Sequence, residues 1–188
     1  MTVVHLVRHT AVAAHWAGRC YGQSDVGLSR DGRAAARALA PRIAALGARR
    51  LYVSPLRRAR FLAGLVLREA AGAGLVIEPR LAECHFGGWE GQSWDAIYAA
   101  CGDAMMGLVT APETFRPGGL GEATFTLRDR ALAWLEEAVR GADGPVVAVC
   151  HGGPIAAIRG TLAGAPVMDW PGLVPKVGEI VSLEVLSA

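Results

Sequence analysis

The sequence predicts an α/β fold, a three-layer sandwich in which a mostly parallel β-sheet carries helices on both faces. The main observation is that short runs rich in Val, Ile and Leu alternate with longer stretches of helical pattern. A second is that 52% of the 188 residues are hydrophobic, which is enough to build one packed core. We therefore expect a single domain that spans residues 1–188.

The predicted strands are short apolar runs bounded by polar or turn-forming residues, and we expect five or six of them. The first run ends at Arg8, a wholly apolar one leads into His151, and the last one alternates between apolar and polar residues. The runs that can be placed cover residues 3–7, 51–53, 75–77, 146–150 and 180–185.

The first two predicted helices have clear start signals. Ser29 is placed as the N-cap of a helix that stops at Gly47, with a bend at Pro41. Ser54 and Pro55 are placed as the N-cap and first turn of a helix that runs through residue 70.

Two further helices are expected in the second half of the chain. Leu132, Leu135 and Val139 have the three-and-four spacing of one buried helix face, which predicts a helix over residues 122–140. Pro154 is expected to open another helix. Residues 10–28 and 104–121 have no clear pattern and are long enough to form a binding site.

Composition excludes several classes of protein. The net charge is +2 and the sequence pI about 8.5, without the basic stripe expected of a nucleic-acid-binding domain. No uncharged stretch reaches the roughly 20 apolar residues that a membrane-spanning helix needs, and no signal peptide is visible at the N-terminus. We therefore expect a cytoplasmic protein that binds neither membrane nor nucleic acid. A homodimer is left open.

Cysteine and basic residues give more specific indications. Cys20, Cys84, Cys101 and Cys150 form no C-x-x-C pair, so we expect reduced thiols, no metal site and no cofactor. Lys176 is the only lysine, so nearly every basic residue is an arginine, the side chain that binds phosphate and carboxylate bidentately. Genome composition is the favoured explanation of that bias.

Chemically reactive side chains follow the predicted strands. Arg8 and His9 follow the first strand, and Arg57 and Arg58 lie just after the second. Glu83 follows the third strand, and His151 follows the fourth. Ligand sites of open α/β sheets lie at the carboxyl ends of the strands, so these side chains are expected to converge. Two histidines, arginines and one carboxylate suit phosphoryl transfer without a metal.

Four segments together resemble the motifs of the histidine phosphatase superfamily, which includes phosphoglycerate mutase and acid phosphatases. They occur in the family's order and cover nearly the whole chain: Leu-Val-Arg-His at 6–9, Ser-Pro-Leu-Arg-Arg-Ala at 54–59, Glu-Cys-His-Phe-Gly at 83–87 and Val-Cys-His-Gly-Gly at 149–153. The resemblance implies a phosphoglycerate mutase-like fold.

The resemblance also implies a role for each matching residue. His9 is the nucleophile that accepts the phosphoryl group. Arg8 and Arg58 bind the phosphate oxygens, and His151 adds a further donor. Glu83 protonates the leaving oxygen and then deprotonates the attacking water.

Further substrate contacts are expected at the edges of these motifs. Gly152 opens a helix whose N–H groups point toward phosphate. Ser24 lies in a loop motif shared with relatives, and His15 stands near the position where many relatives have an asparagine, although this chain contains no Asn. His15 is either a substitute phosphate contact or a solvent-facing loop residue.

The lid and loop sequences bear on the substrate. Residues 20–28, 86–91 and 94–95 look most like the alpha-ribazole phosphatases, which act late in cobalamin nucleotide-loop assembly. The short segment between Glu83 and the helix near Glu122 favours hydrolysis over mutase chemistry. We therefore expect a phosphomonoesterase for a small molecule, with alpha-ribazole 5'-phosphate as one substrate. The alternatives are a broad-specificity sugar or nucleotide phosphatase, a phosphoglycerate mutase, or an idle relative that only binds phosphorylated ligands.

Overall fold

A five-stranded sheet forms the centre of the molecule in the computed structural model, which describes residues 1–70 and 72–186. The strands lie in the order β3-β2-β4-β1-β5, and all neighbouring pairs are parallel except β1 and β5. Their bounds are β1 Thr2–Arg8, β2 Arg50–Val53, β3 Gly74–Ile77, β4 Val146–Cys150 and β5 Ile180–Val185. The predicted α/β architecture is thereby confirmed.

The α-helices connect the strands and build the segment that follows β3. They are α1 Arg30–Ala44, α2 Arg57–Glu69, α3 Trp94–Cys101, α4 Gly107–Thr110, α5 Thr124–Arg140 and α6 Gly152–Leu162. In addition, 3-10 helices lie at Ala14–Trp16, Pro79–Leu81, Gly87–Trp89, Gly102–Met106 and Val167–Leu173.

Two hydrophobic clusters, one on each face of the sheet, make the three layers. Val146 and Ala148 of β4 pack with α5 and α6, whereas Val147 and Val149 pack with α1 and α2. Consecutive strand residues point to opposite faces, so one buried strand serves both clusters. Trp134 of α5 is almost completely buried in the first cluster.

The helix ends differ from the predicted ones in ways that matter for the site. Ser29 caps α1 as predicted, accepting a hydrogen bond from the Gly32 N–H at 2.8 Å. The prediction for Ser54 is wrong, because α2 begins at Arg57 after Leu56. The Ser54 hydroxyl lies 2.6 Å from a ring nitrogen of His151 instead.

The other boundaries shift by a few residues. The helix predicted to run to Gly47 ends at Ala44, the helix predicted from Glu122 begins at Thr124, and α6 begins at Gly152, before Pro154. The helices α3 and α4 were not predicted, and α4 lies inside the segment expected to be loop.

Among the described residues, the structure contains no helix that is both long and apolar enough to cross a membrane.

Candidate active site

The two histidines of the site come from neighbouring parallel strands in the same register. Arg8 pairs with Cys150 across β1 and β4, and the His9 N–H donates to the Cys150 carbonyl at 3.1 Å. His9 and His151 therefore leave the sheet side by side, and their ring centroids lie 5.1 Å apart. Their exposed fractions are 1% and 0%, so both rings are inside the protein.

The hydrogen bonds of His9 define its tautomer. Its Nδ1 lies 2.7 Å from the Thr10 carbonyl oxygen, which can only accept, so Nδ1 carries the proton. The Arg58 Nε–H donates to Nε2 at 3.3 Å, so Nε2 presents a lone pair. Burial, followed by the charge of Arg58, lowers the pKa of His9 from 6.5 to about 3. His9 is thus a neutral imidazole at neutral pH.

Arg58 is completely buried beside His9, and the protein engages three of its five N–H bonds. Besides the bond to His9, it donates to the carbonyls of Ser24 at 2.8 Å and Gly22 at 2.6 Å. Its guanidinium lies 5.1 Å from the ring centroid of Tyr21. The neighbouring Arg57 is exposed, because successive helix residues point about 100° apart.

His151 and Arg8 complete the basic end of the site. The Ser54 hydroxyl binds His151 Nε2, whereas His151 Nδ1 and Arg8 Nε are buried without a partner among the residues described. Burial, then the charges of Arg58 and other neighbours, holds the pKa of His151 well below its usual range. Arg8 is fixed by donation to the Pro175 carbonyl at 2.6 Å.

Glu83 is fixed by backbone donors. Its carboxylate accepts from the N–H of Cys84 at 2.8 Å and of Gly153 at 3.1 Å. A Cβ atom on Gly153 would lie 2.2 Å from the Glu83 carboxylate, so only glycine permits this approach. The Glu83 carbonyl accepts from Gln23 and Arg130, which fixes the backbone as well.

Glu90 is a supporting residue that sequence reasoning did not single out. Its carboxylate accepts four hydrogen bonds, from the N–H groups of Gln23, Ser24 and Phe86 and from the Ser24 hydroxyl. Burial raises the pKa of Glu90, but these hydrogen bonds outweigh it and the net pKa is lowered. The only sequence signal was the position of Glu90 inside the motif at 86–91.

The other residues predicted to bind substrate lie at different distances from His9 and His151. Ser24 and Gly152 are adjacent to it, Ser24 through its carbonyl on Arg58 and Gly152 beside the Arg8 guanidinium. His15 is exposed on the 3-10 turn Ala14–Trp16 and lines a separate depression with Arg33 and Arg57. The structure does not bring His15 to the others.

Cys150, which lies next to His151 in the sequence, is not suited to act as a thiol nucleophile. Burial raises the pKa of the Cys150 thiol to about 12, so it is protonated at neutral pH. Within residues 1–70 and 72–186, no cluster of His, Cys, Asp or Glu side chains is arranged to hold a metal ion.

A comparison with models of known protein families identifies the family of this chain. The model of the histidine phosphatase superfamily (branch 1) matches residues 4–187. The chain therefore belongs to the histidine phosphatase superfamily, as the four motifs indicated, and is a phosphatase.

Individual members of the superfamily are similar to this chain in sequence and in structure. A glucosyl-3-phosphoglycerate phosphatase from Mycolicibacterium vanbaalenii is 35% identical over 88% of this chain and 76% of its own length. A protein named "Probable phosphoglycerate mutase" from Serratia proteamaculans is 31% identical over 88% of this chain and 77% of its own. The structure of a mycobacterial glucosyl-3-phosphoglycerate phosphatase with VO3 superimposes with a TM-score of 0.85 at 30% identity, covering 98% and 91% of the two chains.

Proposed function

We propose that this protein is a metal-independent phosphomonoesterase that forms a phosphohistidine on Nε2 of His9. The observation that carries this function is the neutral tautomer of His9. The Thr10 carbonyl keeps the proton on Nδ1, and the lone pair on Nε2 faces the guanidinium of Arg58. A nucleophile therefore stands beside a cation that attracts phosphate.

Arg8, Arg58 and His151 bind the phosphate oxygens during transfer. Arg58 retains two N–H bonds that none of the described residues engages. Arg8 Nε and His151 Nδ1 are buried polar atoms that no described residue satisfies, and such atoms are costly unless a ligand bonds to them. Gly152, at the N-terminal end of α6, adds the positive end of a helix dipole.

Glu83 is the general acid and base. Two backbone N–H groups orient its carboxylate, which lines a cavity together with Arg8 and Gly153. In the first step it gives a proton to the leaving oxygen, and in the second it takes one from the attacking water.

The segment between Glu83 and α5, which we call the lid, is short, and this favours hydrolysis over mutase chemistry. Only α3, α4 and short 3-10 helices lie between Glu83 and α5, and we take such a small cover to leave the phosphohistidine open to attack by water. The proposed natural substrate is a small phosphomonoester. The named relatives act on glucosyl-3-phosphoglycerate or are mutase-like, whereas alpha-ribazole 5'-phosphate is supported only by the loop motifs around Ser24. An idle ligand-binding role is disfavoured because every residue of the mechanism is present.

We also propose three points about domain organisation, cellular location and ligand class. We assign residues 1–188 to one domain, the protein to the cytoplasm, and its ligands to small molecules rather than nucleic acid. Ser24 is assigned to substrate binding through its loop, whereas a contact from His15 has no geometric support.

A rapid-quench experiment tests the mechanism. A ³²P-labelled substrate should give an acid-labile, base-stable phosphoprotein, and His9→Ala should abolish it while His15→Ala retains it. An acid-stable label, or a label that survives in His9→Ala, would show that another residue is the nucleophile.

A further inference from the structure

The cavity beside Glu83 has two chemically different parts. Its volume is about 330 Å³, in the range of small-molecule sites. One end is lined by the catalytic groups Arg8 and Glu83 and by Gly152 and Gly153. The rest of the wall is mainly apolar and aromatic, with contributions from Phe86, Trp94, Leu108, Leu127, Trp170 and Val174.

Two polar side chains in the apolar part are already engaged by the protein. The Thr124 hydroxyl donates to the Leu108 carbonyl at 2.6 Å, and the Trp170 Nε1–H donates to the Ala165 carbonyl at 3.0 Å. Arg19, at the exposed side, donates to the Gly91 carbonyl at 2.9 Å. Tyr21 and the remaining N–H bonds of Arg19 are further polar groups of the lining outside the catalytic end, and the rest of this wall presents mainly methyl groups and ring faces.

The apolar wall is also rigid. A Cβ atom on Gly160 of α6 would lie 2.2 Å from the Trp170 indole, so that ring packs directly on the helix backbone. Phe86 and Trp94 stack edge to face at 5.7 Å between centroids. A preformed wall of this kind binds a complementary group without a cost of ordering side chains.

We propose that the site selects phosphomonoesters whose leaving group is large and apolar, an aryl or long alkyl alcohol, in preference to polyols and sugars. This specificity rests on the function proposed above. Because Glu83 must reach the leaving oxygen, the carbon skeleton attached to that oxygen extends from Glu83 into the apolar part. Each sugar hydroxyl placed there without a partner would lower affinity, roughly fivefold or more.

The reaction balances as follows. The bond between phosphorus and the ester oxygen breaks as phosphorus bonds to His9 Nε2, and Glu83 gives its proton to the departing alkoxide, releasing the apolar alcohol. Water then attacks phosphorus and passes a proton to Glu83, while the bond between phosphorus and nitrogen breaks and inorganic phosphate leaves.

An alkyl phosphate series tests this specificity because its leaving groups differ in apolar area and hardly in chemistry. We expect kcat/KM to rise about threefold to fourfold for each added methylene from ethyl to hexyl phosphate. Glycerol phosphate and glucose 6-phosphate should be slower than hexyl phosphate by about 100-fold, the combined effect of about four buried methylenes. A flat series, or faster hydrolysis of the polyol phosphates, would overturn the apolar specificity.

A matched pair of leucine variants locates the effect. Leu108→Gln puts an amide into the wall, whereas Leu120→Gln changes a leucine that is 83% exposed and outside the lining. Leu108→Gln should lower kcat/KM for hexyl phosphate about tenfold and change that for ethyl phosphate less than twofold, the loss expected for about two buried methylenes. Leu120→Gln should change neither, and thermal unfolding should show both variants folded.

The outcomes separate the two proposals. Hydrolysis of all esters with the same phosphohistidine, but without chain-length dependence or with equal behaviour of the two leucine variants, would overturn the apolar specificity alone. Absence of phosphohistidine with every ester would overturn the proposed function itself.

Discussion

The protonation of His9 should make the stability of the protein depend on pH. The pKa of His9 is about 3 in the folded chain, against 6.5 for an ordinary histidine. Below pH 6.5, His9 therefore binds a proton in the unfolded chain but not in the folded chain. The free energy of unfolding consequently decreases as the pH falls from 6.5 toward 3. Lowering the pH from 7.5 to 5.0 covers 1.5 units of that window, which corresponds to about 2 kcal/mol from His9 alone.

The assay is urea unfolding of the wild type and of His9→Gln at pH 7.5 and 5.0. Glutamine does not titrate, so the variant should lose about 2 kcal/mol less than the wild type over this change. His151, whose pKa is also lowered by burial, contributes to both proteins and largely cancels in the comparison. His15→Gln is the control, because that side chain is exposed and should leave the wild-type pH dependence intact.

An equal loss in the wild type and in His9→Gln would refute the reasoning. It would mean that folded His9 accepts its proton near pH 6.5, so the imidazole would be charged and the Nε2 lone pair would not be available at mildly acidic pH.

Four other predictions concern activity. Glu83→Gln should lower kcat/KM roughly 100-fold or more with an alkyl phosphate and much less with an aryl phosphate, because a nitrophenolate hardly needs a proton; equal losses would assign Glu83 a positioning role. Glu90→Ala should lower kcat/KM at least about tenfold through the Ser24 loop that holds Arg58, whereas the exposed control Glu136→Gln should not, since hydrogen bonds to charged groups contribute roughly 1.5 to 3 kcal/mol. His15→Ala should leave kinetics unchanged, and a clear rise in KM would restore the contact expected from sequence. A chelator should leave the rate unchanged and vanadate should inhibit; loss of activity that magnesium or zinc restores would contradict metal-independent catalysis.

Local signals explain what the sequence predicted well. The strands that precede His9 and His151 are short, apolar and bounded by polar residues, and parallel strands bring their carboxyl ends together without any knowledge of side-chain contacts. Arg58, and not Arg57, stands directly before Ala59 in the second motif, and one of two adjacent helix residues faces inward for geometric reasons.

Long-range contacts explain what the sequence missed. Ser54 followed by Pro55 has the local pattern of a helix N-cap, but a buried histidine 97 residues away takes the hydroxyl. The function of Glu90 depends on backbone groups of Gln23 and Ser24, which are distant in sequence. The α3 helix is only eight residues long, which is too short to give a clear periodic signal.

The attachment of the lid has a consequence for how such proteins diversify. Gly118 and Glu122 fasten it to residues 85–88 through backbone hydrogen bonds, with Gly88 N–H to Gly118 carbonyl at 3.1 Å and Glu122 N–H to His85 carbonyl at 2.7 Å. His9 and His151, in contrast, are held by the sheet. Leu108 and Val109, which line the cavity, can therefore be varied apart from the sheet that holds the reaction centre, whereas Gly107 and Phe115, which pack against each other, have to be kept. These two lining positions are the natural place for a library that searches for new substrates.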